Sequence, residues 1–454
     1  VGGSRPPSCT KKMNKEKKIK PSKELPLGFV DRKEKELLTR DFIISNIKEV
    51  MIKYGFQYLE TPSFEYTDSI GKFLPDKERP DQGVFSFKDE KNWLSLRYDL
   101  TAPLARYVAK NYQDLPKPFK RYQLGTVWRN EKPGPGRFRE FLQFDADFVG
   151  TKNLQADAEL CILISEILEK CGLSTNDYSV KISSRKFTKD LFKEIKIEDT
   201  DKASIVLRAL DKIDRLGWNE TKKLLGKGRK DKSGDFTKGA ELNEQQIKLI
   251  EKKINDKESK TSDVLEIFKI FDAYSFKNYK FDPSVIRGLE YYTGPIFEVN
   301  LNFEVKNSKG KAVQFGSIGG GGRYDNLVSN FGNLDCPATG ISIGIDRLVY
   351  ALMQKKEFNI KSTKPVIICL FNKENIKDYV GILRELRSAG ISAEIYPGEG
   401  NLKKQMQYAN KISSPAVVLY GENEIKLGKT ILRNLNTGKE ISKEIKNLPN
   451  EIKK

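Results

Sequence analysis

The sequence predicts an α+β protein with two folded parts, and three observations support this prediction. Residues 120–131 and 137–150 are two β-rich runs around the loop KPGPG, a pattern typical of an antiparallel hairpin. Residues after about 365 alternate short apolar strands with helices, which is typical of an α/β domain with mostly parallel strands. The 454 residues also exceed what one ordinary core accommodates, so two or three domains are expected.

Composition excludes several classes of protein and favours a polyanionic partner. The chain contains no histidine, and its five cysteines are scattered, so we expect no zinc site and a reducing, cytoplasmic location. No apolar run approaches the roughly 20 residues of a membrane span, so no membrane association is expected. The net charge of +19 suits RNA, although a lysine-rich compositional bias explains the same number.

The N-terminal elements follow from charge and hydrophobic periodicity. Residues 1–24 are basic and lack an apolar core, so they predict a disordered tail rather than a secretory signal. An apolar stripe over 31–54 predicts an amphipathic helix, and 55–66 predicts a strand ended by Pro62. Residues 93–100 predict a strand that leads into a helix with Thr101 as its N-cap.

After the hairpin, a helix is predicted over about 154–173. The segment 185–270 is rich in lysine and mostly helical in pattern, which indicates an inserted helical module. Strand and strand-to-helix patterns then return, and a polar break at 355–365 separates a part over 25–354 from a part over 365–454.

The second arm of the hairpin carries the first functional prediction. Because side chains on a strand alternate between faces, Phe144, Ala146 and Phe148 share an apolar face. The opposite face carries polar and aromatic side chains, namely Arg139, Phe141, Gln143, Asp145 and Asp147. A solvent-exposed sheet face has the same alternation. Arg129 and Arg137 beside the KPGPG loop favour a ligand pocket instead, because guanidinium groups bind phosphates through two hydrogen bonds.

Three further stretches remain ambiguous from their residues alone. The run GGGGRYD, 319–325, permits close approach of the backbone to a ligand, or it forms a tight turn. Arg347 lies in the first turn of a predicted helix, where it either contacts a phosphate or is an ordinary surface residue. Arg287 stands before a tyrosine pair in RGLEYYTG, and a purely structural strand arginine is the alternative.

Five motifs in order resemble those of the class II aminoacyl-tRNA synthetases, and within them the histidyl-tRNA synthetase family. They are LRYDLTAPLARY, YQLGTVWRNEKPGPGRFREFLQFDADFVG, RGLEYYTG, GGGRYD and GISIGIDRL. RGLEYYTG is the most specific, since it resembles a histidine-recognition motif. The resemblance covers the chain from about residue 26 to its end.

The resemblance implies a class II catalytic domain at 25–354 on a six- or seven-stranded antiparallel sheet. It also implies that the helical insertion, about 185–270, touches the acceptor end of the tRNA. The part at 365–454 would be an α/β anticodon-binding domain. The first helix and Pro62 resemble the dimer-forming motif of the family, which implies a homodimer.

The implied activity is that of an aminoacyl-tRNA ligase that joins L-histidine to tRNA(His) through a histidyl-adenylate. ATP is the co-substrate, and it carries most of the Mg²⁺. The implied histidine-binding residues are Asp99, Thr101, Arg129, Gln143, Asp147, Arg287, Tyr291, Tyr292 and Tyr324. The implied ATP-binding residues are Arg129, Glu131, Arg137, Phe141 and Arg347, and the implied catalytic residues are Arg287 and Arg129.

Two alternatives stand beside this interpretation. The same fold also serves as a non-catalytic regulatory subunit of ATP phosphoribosyltransferase in histidine biosynthesis. That alternative predicts lost ATP-binding arginines and no anticodon-binding domain, whereas this chain has both features. A class II synthetase for threonine or proline is the second alternative, and the tyrosine-pair motif argues against it.

Overall fold

The computed structural model describes residues 22–70, 83–230, 234–286, 291–307, 309–313, 315–332, 334–360 and 364–453. These residues divide into two units on either side of the boundary between Asn359 and Ile360. Nearly all of the predicted disordered tail, 1–24, lies outside the described residues. In the part of the chain that the structure describes, no helix has the length and apolar character needed to cross a membrane.

The first unit contains eleven helices and fifteen strands in its described residues. Its helices are α1 Glu34–Lys53, α2 Thr67–Ile70, α3 Thr101–Lys110, α4 Leu154–Lys170, α5 Arg185–Glu194, α6 Thr200–Leu210, α7 Ile213–Leu216, α8 Trp218–Leu225, α9 Glu244–Asn255, α10 Ser262–Ala273 and α11 Ile345–Leu352. Its strands are β1 Gln57–Tyr58, β2 Phe64–Tyr66, β3 Ser86–Asp89, β4 Asn92–Leu96, β5 Phe119–Trp128, β6 Glu140–Val149, β7 Tyr178–Ser184, β8 Gly228–Lys230, β9 Phe236–Lys238, β10 Tyr279–Phe281, β11 Pro295–Leu301, β12 Val305–Lys306, β13 Ala312–Val313, β14 Ser317–Arg323 and β15 Ala338–Gly344.

An eight-stranded sheet in the order β1-β5-β6-β15-β14-β11-β7-β10 organises this unit. Its six inner strands pair with one another in antiparallel fashion. The outer strands β1 and β10 are parallel to β5 and β7, and each has only two or three residues. The predicted α+β class is therefore confirmed, and the two short parallel edge strands explain why eight strands form where six or seven were expected.

The hairpin of β5 and β6 has the predicted antiparallel pairing, and its two faces have the predicted difference in polarity. Phe144, Ala146 and Phe148 are buried in the main hydrophobic core with residues of α1, α4, α10 and α11. The alternate residues of β6 face the other side of the sheet. There, the register places Arg121 of β5 and Gly340 of β15 on either side of Asp147.

The glycine run 319–322 lies inside strand β14, so the tight-turn alternative is wrong. A Cβ atom at Gly321 would lie 1.9 Å from the carbonyl oxygen of Gly340 on β15. A Cβ atom at Gly340 would lie 1.9 Å from Oδ1 of Asp147. Glycine is therefore required at both positions for close packing of strands against one another and against a buried carboxylate.

Three local predictions differ from the structure at element ends. Helix α1 begins at Glu34 rather than at residue 31. The predicted strand 55–66 is two short strands, β1 and β2, which pair in different sheets. Thr101 is the first helical residue of α3 and not its N-cap, because the Asp99 carboxylate accepts the Ala102 N–H at 3.0 Å.

The predicted helical insertion contains a hydrophobic core of its own. Residues of α5, α6, α8 and α9, together with Ile286, form this cluster. Helix α10 instead contributes Val264, Ile267 and Phe271 to the main core against α4. The separately packed part of the insertion, among the described residues, thus runs from α5 to α9.

The second unit is a small sheet with helices on both faces. Its elements are β16 Val366–Ile368, α12 Ile376–Ser388, β17 Ala393–Ile395, α13 Leu402–Lys411, β18 Ala416–Leu419, α14 Glu422–Leu427, β19 Thr430–Asn434, β20 Glu440–Lys443 and α15 Leu448–Ile452. The order is β17-β16-β18-β19-β20, with parallel pairing among the first three strands and antiparallel pairing of the last two. Successive residues of β16 belong to two different hydrophobic clusters, as expected for a sheet buried on both faces.

Candidate active site

Polar side chains that come from distant parts of the chain meet on the face of the main sheet opposite the core. We call this group the polar cluster; its members are Asp99, Thr101, Arg121, Gln143, Asp145, Asp147 and Tyr324. Every member is less than one-tenth exposed. Strands β5 and β6 supply four of them, the start of α3 supplies two, and the residue after β14 supplies the last.

Asp147 is held from two directions. The hydroxyl of Tyr324 donates to its Oδ1 at 2.5 Å, and Nη2 of Arg121 lies 3.2 Å from its Oδ2. The same Nη2 donates to the carbonyl of Leu100 at 2.8 Å, which fixes the guanidinium. Burial raises the pKa of Asp147, and Arg121 and Tyr324 oppose that rise. Its Oδ2 has no hydrogen-bond donor among the described residues.

Asp145 lies two residues before Asp147 on the same face of β6, and its hydrogen-bond partners among the described residues are neutral. The amide of Gln143 donates to its Oδ1 at 2.7 Å, and the hydroxyl of Thr101 donates to its Oδ2 at 3.4 Å. Burial, followed by the charge of Asp147, raises the pKa of Asp145 to about 7. The sequence pattern places Asp145 on this face of the strand but assigns it no role. Arg121 was not predicted as a site residue, because no feature of its sequence surroundings singles it out.

Arg129 extends the cluster toward the open end of the hairpin. Its guanidinium lies between two rings, 4.5 Å from the centroid of Tyr98 and 5.2 Å from that of Phe141. It also donates to Oε1 of Gln143 at 3.4 Å, which connects it to the buried carboxylates. The hydroxyl of Tyr98 in turn donates to the Glu131 carboxylate at 2.7 Å.

Three tyrosines lie beside the buried carboxylates. The rings of Tyr291 and Tyr292 are 4.8 Å apart, and the edge-to-face pair of Tyr291 and Tyr324 is separated by 6.0 Å. Burial raises the pKa of Tyr291 and Tyr324 well above 10, and nearby carboxylates add to the rise. Both phenols therefore stay protonated and remain hydrogen-bond donors at neutral pH.

Arg323 braces the segments that carry these tyrosines, a role that sequence reasoning does not reveal. Its guanidinium forms a buried ion pair with Asp157 of α4 and a second ion pair with Asp325 at 3.2 Å. Its backbone carbonyl accepts the N–H of Thr293 at 2.8 Å, while the Thr293 hydroxyl donates to Asp325. The segments that follow Tyr292 and Tyr324 are thereby tied together. The only signal in the sequence is the arginine that ends the glycine run.

The remaining predicted residues are Arg137, Arg347 and Arg287. Arg137 is exposed at the tip of the hairpin, where its backbone pairs with Gly134. Arg347 lies in the first turn of α11, as predicted, with its guanidinium 4.5 Å from the Phe315 ring and hydrogen-bonded to the Phe315 carbonyl. Arg287, the predicted catalytic residue, lies outside the described residues.

No candidate metal site accompanies this cluster in the described ranges. Groups of three or more histidine, cysteine, aspartate or glutamate side chains placed to hold a metal ion do not occur there. The arrangement instead combines buried carboxylates, phenol donors and a stacked guanidinium. These groups suit a small zwitterionic ligand with a polar ring, and the guanidinium suits an adjacent phosphate.

Comparison with protein-family models assigns both units. The model described as histidyl-tRNA synthetase matches residues 28–348, and the model described as anticodon binding domain matches residues 364–454. The histidine–tRNA ligase of Bartonella quintana (strain Toulouse) is 46% identical over 95% of this chain and 92% of the relative. The histidine–tRNA ligase of Brucella suis biovar 1 (strain 1330) is 45% identical over 93% of this chain and 90% of the relative.

Solved structures with the same architecture extend the comparison. Histidyl-tRNA synthetase from Nostoc sp. PCC 7120 has a TM-score of 0.70 at 25% identity, covering 96% of this chain and 99% of that one. A protein from Bacillus halodurans C described as an ATP phosphoribosyltransferase regulatory subunit/histidyl-tRNA synthetase has a TM-score of 0.63 at 24% identity. That match covers 86% of this chain and 97% of the other, and it shows a shared fold.

Proposed function

Because this chain belongs to the histidyl-tRNA synthetase family, we propose that it attaches L-histidine to tRNA(His) at the expense of ATP. In the first step the carboxylate of histidine attacks the α-phosphorus of ATP, giving histidyl-adenylate and pyrophosphate. In the second step the histidyl group passes to the 3′-terminal adenosine of the tRNA, and AMP leaves. The observation that carries this conclusion is 46% identity to a histidine–tRNA ligase across 95% of the chain.

The regulatory-subunit alternative is not favoured. It predicts the loss of the C-terminal domain, but residues 364–454 match the anticodon-binding model. The arginines that the alternative expects to be lost are all present in the sequence, at positions 129, 137, 287 and 347. The identity to the ligases extends across the catalytic and C-terminal parts alike.

For histidine recognition we propose that Asp147 and the tyrosines read the imidazole ring. A neutral imidazole has one N–H donor and one acceptor nitrogen. Oδ2 of Asp147 would accept the N–H, because Oδ1 already accepts from Tyr324. Tyr292, which is buried beside Tyr291, would donate to the other nitrogen. A pocket built on such bonds rejects analogues that lack either ring nitrogen.

Asp99, Thr101 and Gln143 would receive the α-ammonium group, and Arg129 and Arg287 would hold the α-carboxylate next to the α-phosphate. Activation requires no general base, because an α-carboxyl group with a pKa of roughly 3.5 is already ionised at neutral pH. The transition state instead gains from fixed positive charge near the phosphoryl oxygens. A chain without histidine can therefore catalyse this step.

The proposed ATP site lies along the hairpin beyond Arg129. Phe141 would stack on adenine, and Glu131 would bind near the adenine end or a metal ion. Arg137 and Arg347 would contact the outer phosphates. One guanidinium nitrogen of Arg347 hydrogen-bonds the Phe315 carbonyl, and the group carries further N–H donors. ATP would bring most of the Mg²⁺, which neutralises phosphate charge.

The assembly and the tRNA contacts are also proposals. The domain boundaries proposed above, 25–354 and 365–454, would give the catalytic and the anticodon-binding domains. The insertion, about 185–270, would touch the acceptor end of the tRNA. We propose a cytoplasmic homodimer in which α1 and Pro62 contribute to the interface between the two copies.

Pyrophosphate exchange with ATP, measured with each amino acid in turn, tests the first step. We expect exchange with L-histidine alone. Arg287→Ala should lower the exchange rate about 10²- to 10³-fold, because it removes positive charge from the transition state. Arg384→Ala, which changes an exposed arginine of α12, is the matched control and should leave the rate unchanged. Exchange with another amino acid, or an unaffected Arg287→Ala enzyme, would contradict the assignment.

A further inference from the structure

Asp145 occupies the middle of the subsite that the proposed function gives to the α-ammonium group. Two of the three residues assigned to the α-ammonium group are hydrogen-bonded to Asp145. The Gln143 amide donates to its Oδ1 at 2.7 Å, and the Thr101 hydroxyl donates to its Oδ2 at 3.4 Å. Asp145 is only 2% exposed, so these two donors provide a neutral environment for a buried carboxylate.

Asp145 has no ion-pair partner among the described residues. Across the described ranges, no lysine or arginine nitrogen lies within 4.0 Å of an Asp145 oxygen, whereas Asp147 has the guanidinium of Arg121 at 3.2 Å. Asp99 likewise has backbone N–H donors but no ion pair in the described part of the chain. Two buried carboxylates without a paired cation are costly, unless a bound ligand supplies the charge.

The charged and titratable groups that face Asp145 come from several elements. On its own strand the neighbour is Asp147; β5 contributes Arg121, the start of α3 contributes Asp99, and the segment after β4 contributes Arg97. The phenols of Tyr291 and Tyr324 also feel its charge. Arg121 is paired with Asp147 and with the Leu100 carbonyl, and Arg97 donates to the carbonyls of Thr126 and Thr61, each at 2.7 Å. The groups that face Asp145 from the described elements thus leave room for one more positive charge.

From this geometry we propose that Asp145 is a further substrate-binding residue, whose carboxylate forms an ion pair with the α-ammonium group of histidine. This inference rests on the proposed function, because it concerns the same pocket and the same substrate. It adds a charged partner to the uncharged Thr101 and Gln143. Asp145 and Asp99 would then both contact the ammonium group, and Asp147 would bind the imidazole ring.

The protonation state of Asp145 is consistent with this role. Burial and the neighbouring Asp147 raise its pKa to about 7, so this carboxyl group is about half protonated at neutral pH in the ligand-free protein. When an ammonium group binds, it favours the carboxylate form. The displaced proton leaves to solvent, and the bound pair has no uncompensated charge.

Ligands that lack one end of histidine separate this role from contact with the imidazole ring. Histidinol retains the α-ammonium group and the ring but has no carboxylate. Imidazole-4-propionate retains the ring and the carboxylate but has no ammonium group. Dissociation constants for histidine, histidinol and imidazole-4-propionate are measured by titration calorimetry, with wild-type protein, Asp145→Asn and Asp145→Glu.

We expect Asp145→Asn to weaken histidine and histidinol about 10- to 100-fold, the range for loss of a charge-assisted hydrogen bond. Binding of imidazole-4-propionate should be unchanged. Asp145→Glu, which keeps the charge, should recover part of the histidinol affinity. Thermal unfolding of each variant verifies that it folds. If Asp145→Asn does not fold, the deciding quantity is the ratio of the dissociation constants of Asp145→Glu for histidinol and imidazole-4-propionate.

Asp157→Asn is the matched control, because it neutralises another buried aspartate that lies outside the subsite and pairs with Arg323. It should alter histidinol and imidazole-4-propionate affinities by the same factor. Equal weakening of all three ligands by Asp145→Asn, or no weakening, would overturn the inference. A wild-type protein that fails to exchange pyrophosphate with histidine would instead overturn the proposed function.

Discussion

At the level of single residues, Asp145 and Asp147 differ through their neighbours although they stand two positions apart on one strand. Asp147 has a guanidinium and a phenol, and Asp145 has an amide and a hydroxyl. The strand alternation alone predicts that both face the same side. It does not predict which one receives Arg121, because that depends on the register between β5 and β6.

The raised pKa of Asp145 gives a test of stability against pH. Its folded pKa is about 7, above the roughly 3.9 of an unfolded aspartate, so the folded protein binds the extra proton. The contribution to stability is therefore complete below about pH 4 and is lost as the pH rises through 7. Asp145→Asn removes this loss. We expect it to stabilise the ligand-free protein at pH 8 by on the order of 1 kcal/mol, but not at pH 4.

Thermal denaturation of both proteins across this pH range provides the measurement. Asp157→Asn serves as the comparison, since it removes the more buried of the two ion-pair partners of Arg323 and should be destabilised at pH 8. Parallel pH profiles for wild type and Asp145→Asn would show that Asp145 is already ionised in the empty pocket.

Removing the Tyr324 hydroxyl should weaken histidine binding. Tyr324→Phe leaves Oδ1 of Asp147 without its donor, so the carboxylate is less well fixed and less stabilised. We expect kcat/KM for histidine in pyrophosphate exchange to fall roughly tenfold, mainly through KM, with KM for ATP unchanged. Tyr112→Phe, which removes a surface phenol bonded to the Asp335 carbonyl, is the control. Equal changes in both KM values would argue for a general distortion of the site.

Among the elements, those defined by local pattern were predicted best. The hairpin, the helix at 154–170 and the alternating strands of the second unit follow from periodicity and turn residues. The predicted N-cap at the start of α3 was wrong, because the carboxylate of Asp99, two residues before Thr101, accepts the Ala102 N–H. The glycine strand was not recognised, because its cause is contact with Gly340 and Asp147, which are far away in sequence.

The close contact at Gly340 predicts a sharp effect of one methyl group. In Gly340→Ala the new Cβ would overlap Oδ1 of Asp147, so β15 or the carboxylate must shift. We expect exchange activity with histidine to fall at least tenfold and the protein to lose about 1–3 kcal/mol of stability. Gly381→Ala in α12, which meets nothing within 4 Å, should instead gain about 0.5–1 kcal/mol. An active, stable Gly340→Ala enzyme would show that the strands separate more easily than the packing indicates.

For the whole molecule, motif order predicted the fold class and the function, which are confirmed, whereas the roles of the site residues stay predictions. The family follows from five motifs that are each short stretches of sequence. Arg137 and Arg347 illustrate the limit, since one is exposed and the other bonds to Phe315 in this structure. Where a flexible arginine points depends on the ligand, and sequence carries no information on that.

The net charge of +19 leads to a prediction about salt. When tRNA binds to a basic surface, lysine and arginine side chains neutralise its phosphates and release counterions. The KM for tRNA should therefore rise steeply between about 50 and 200 mM salt. Histidyl-adenylate formation takes place in a buried site and should change little over the same range, because buried charge pairs are weakly screened. Pyrophosphate exchange and aminoacylation measured with one preparation provide the comparison. A similar salt response in both assays would show that the basic surface does not bind the tRNA.

The absence of histidine has a spectroscopic consequence in combination with the buried Asp147. Among these 454 residues no imidazole resonance exists, so every such NMR signal from a complex belongs to the bound amino acid. Nitrogen-15 labelling of the ligand alone would therefore report its tautomer without background. If Asp147 accepts from the ring, a single nitrogen should carry the proton, with a strongly deshielded hydrogen.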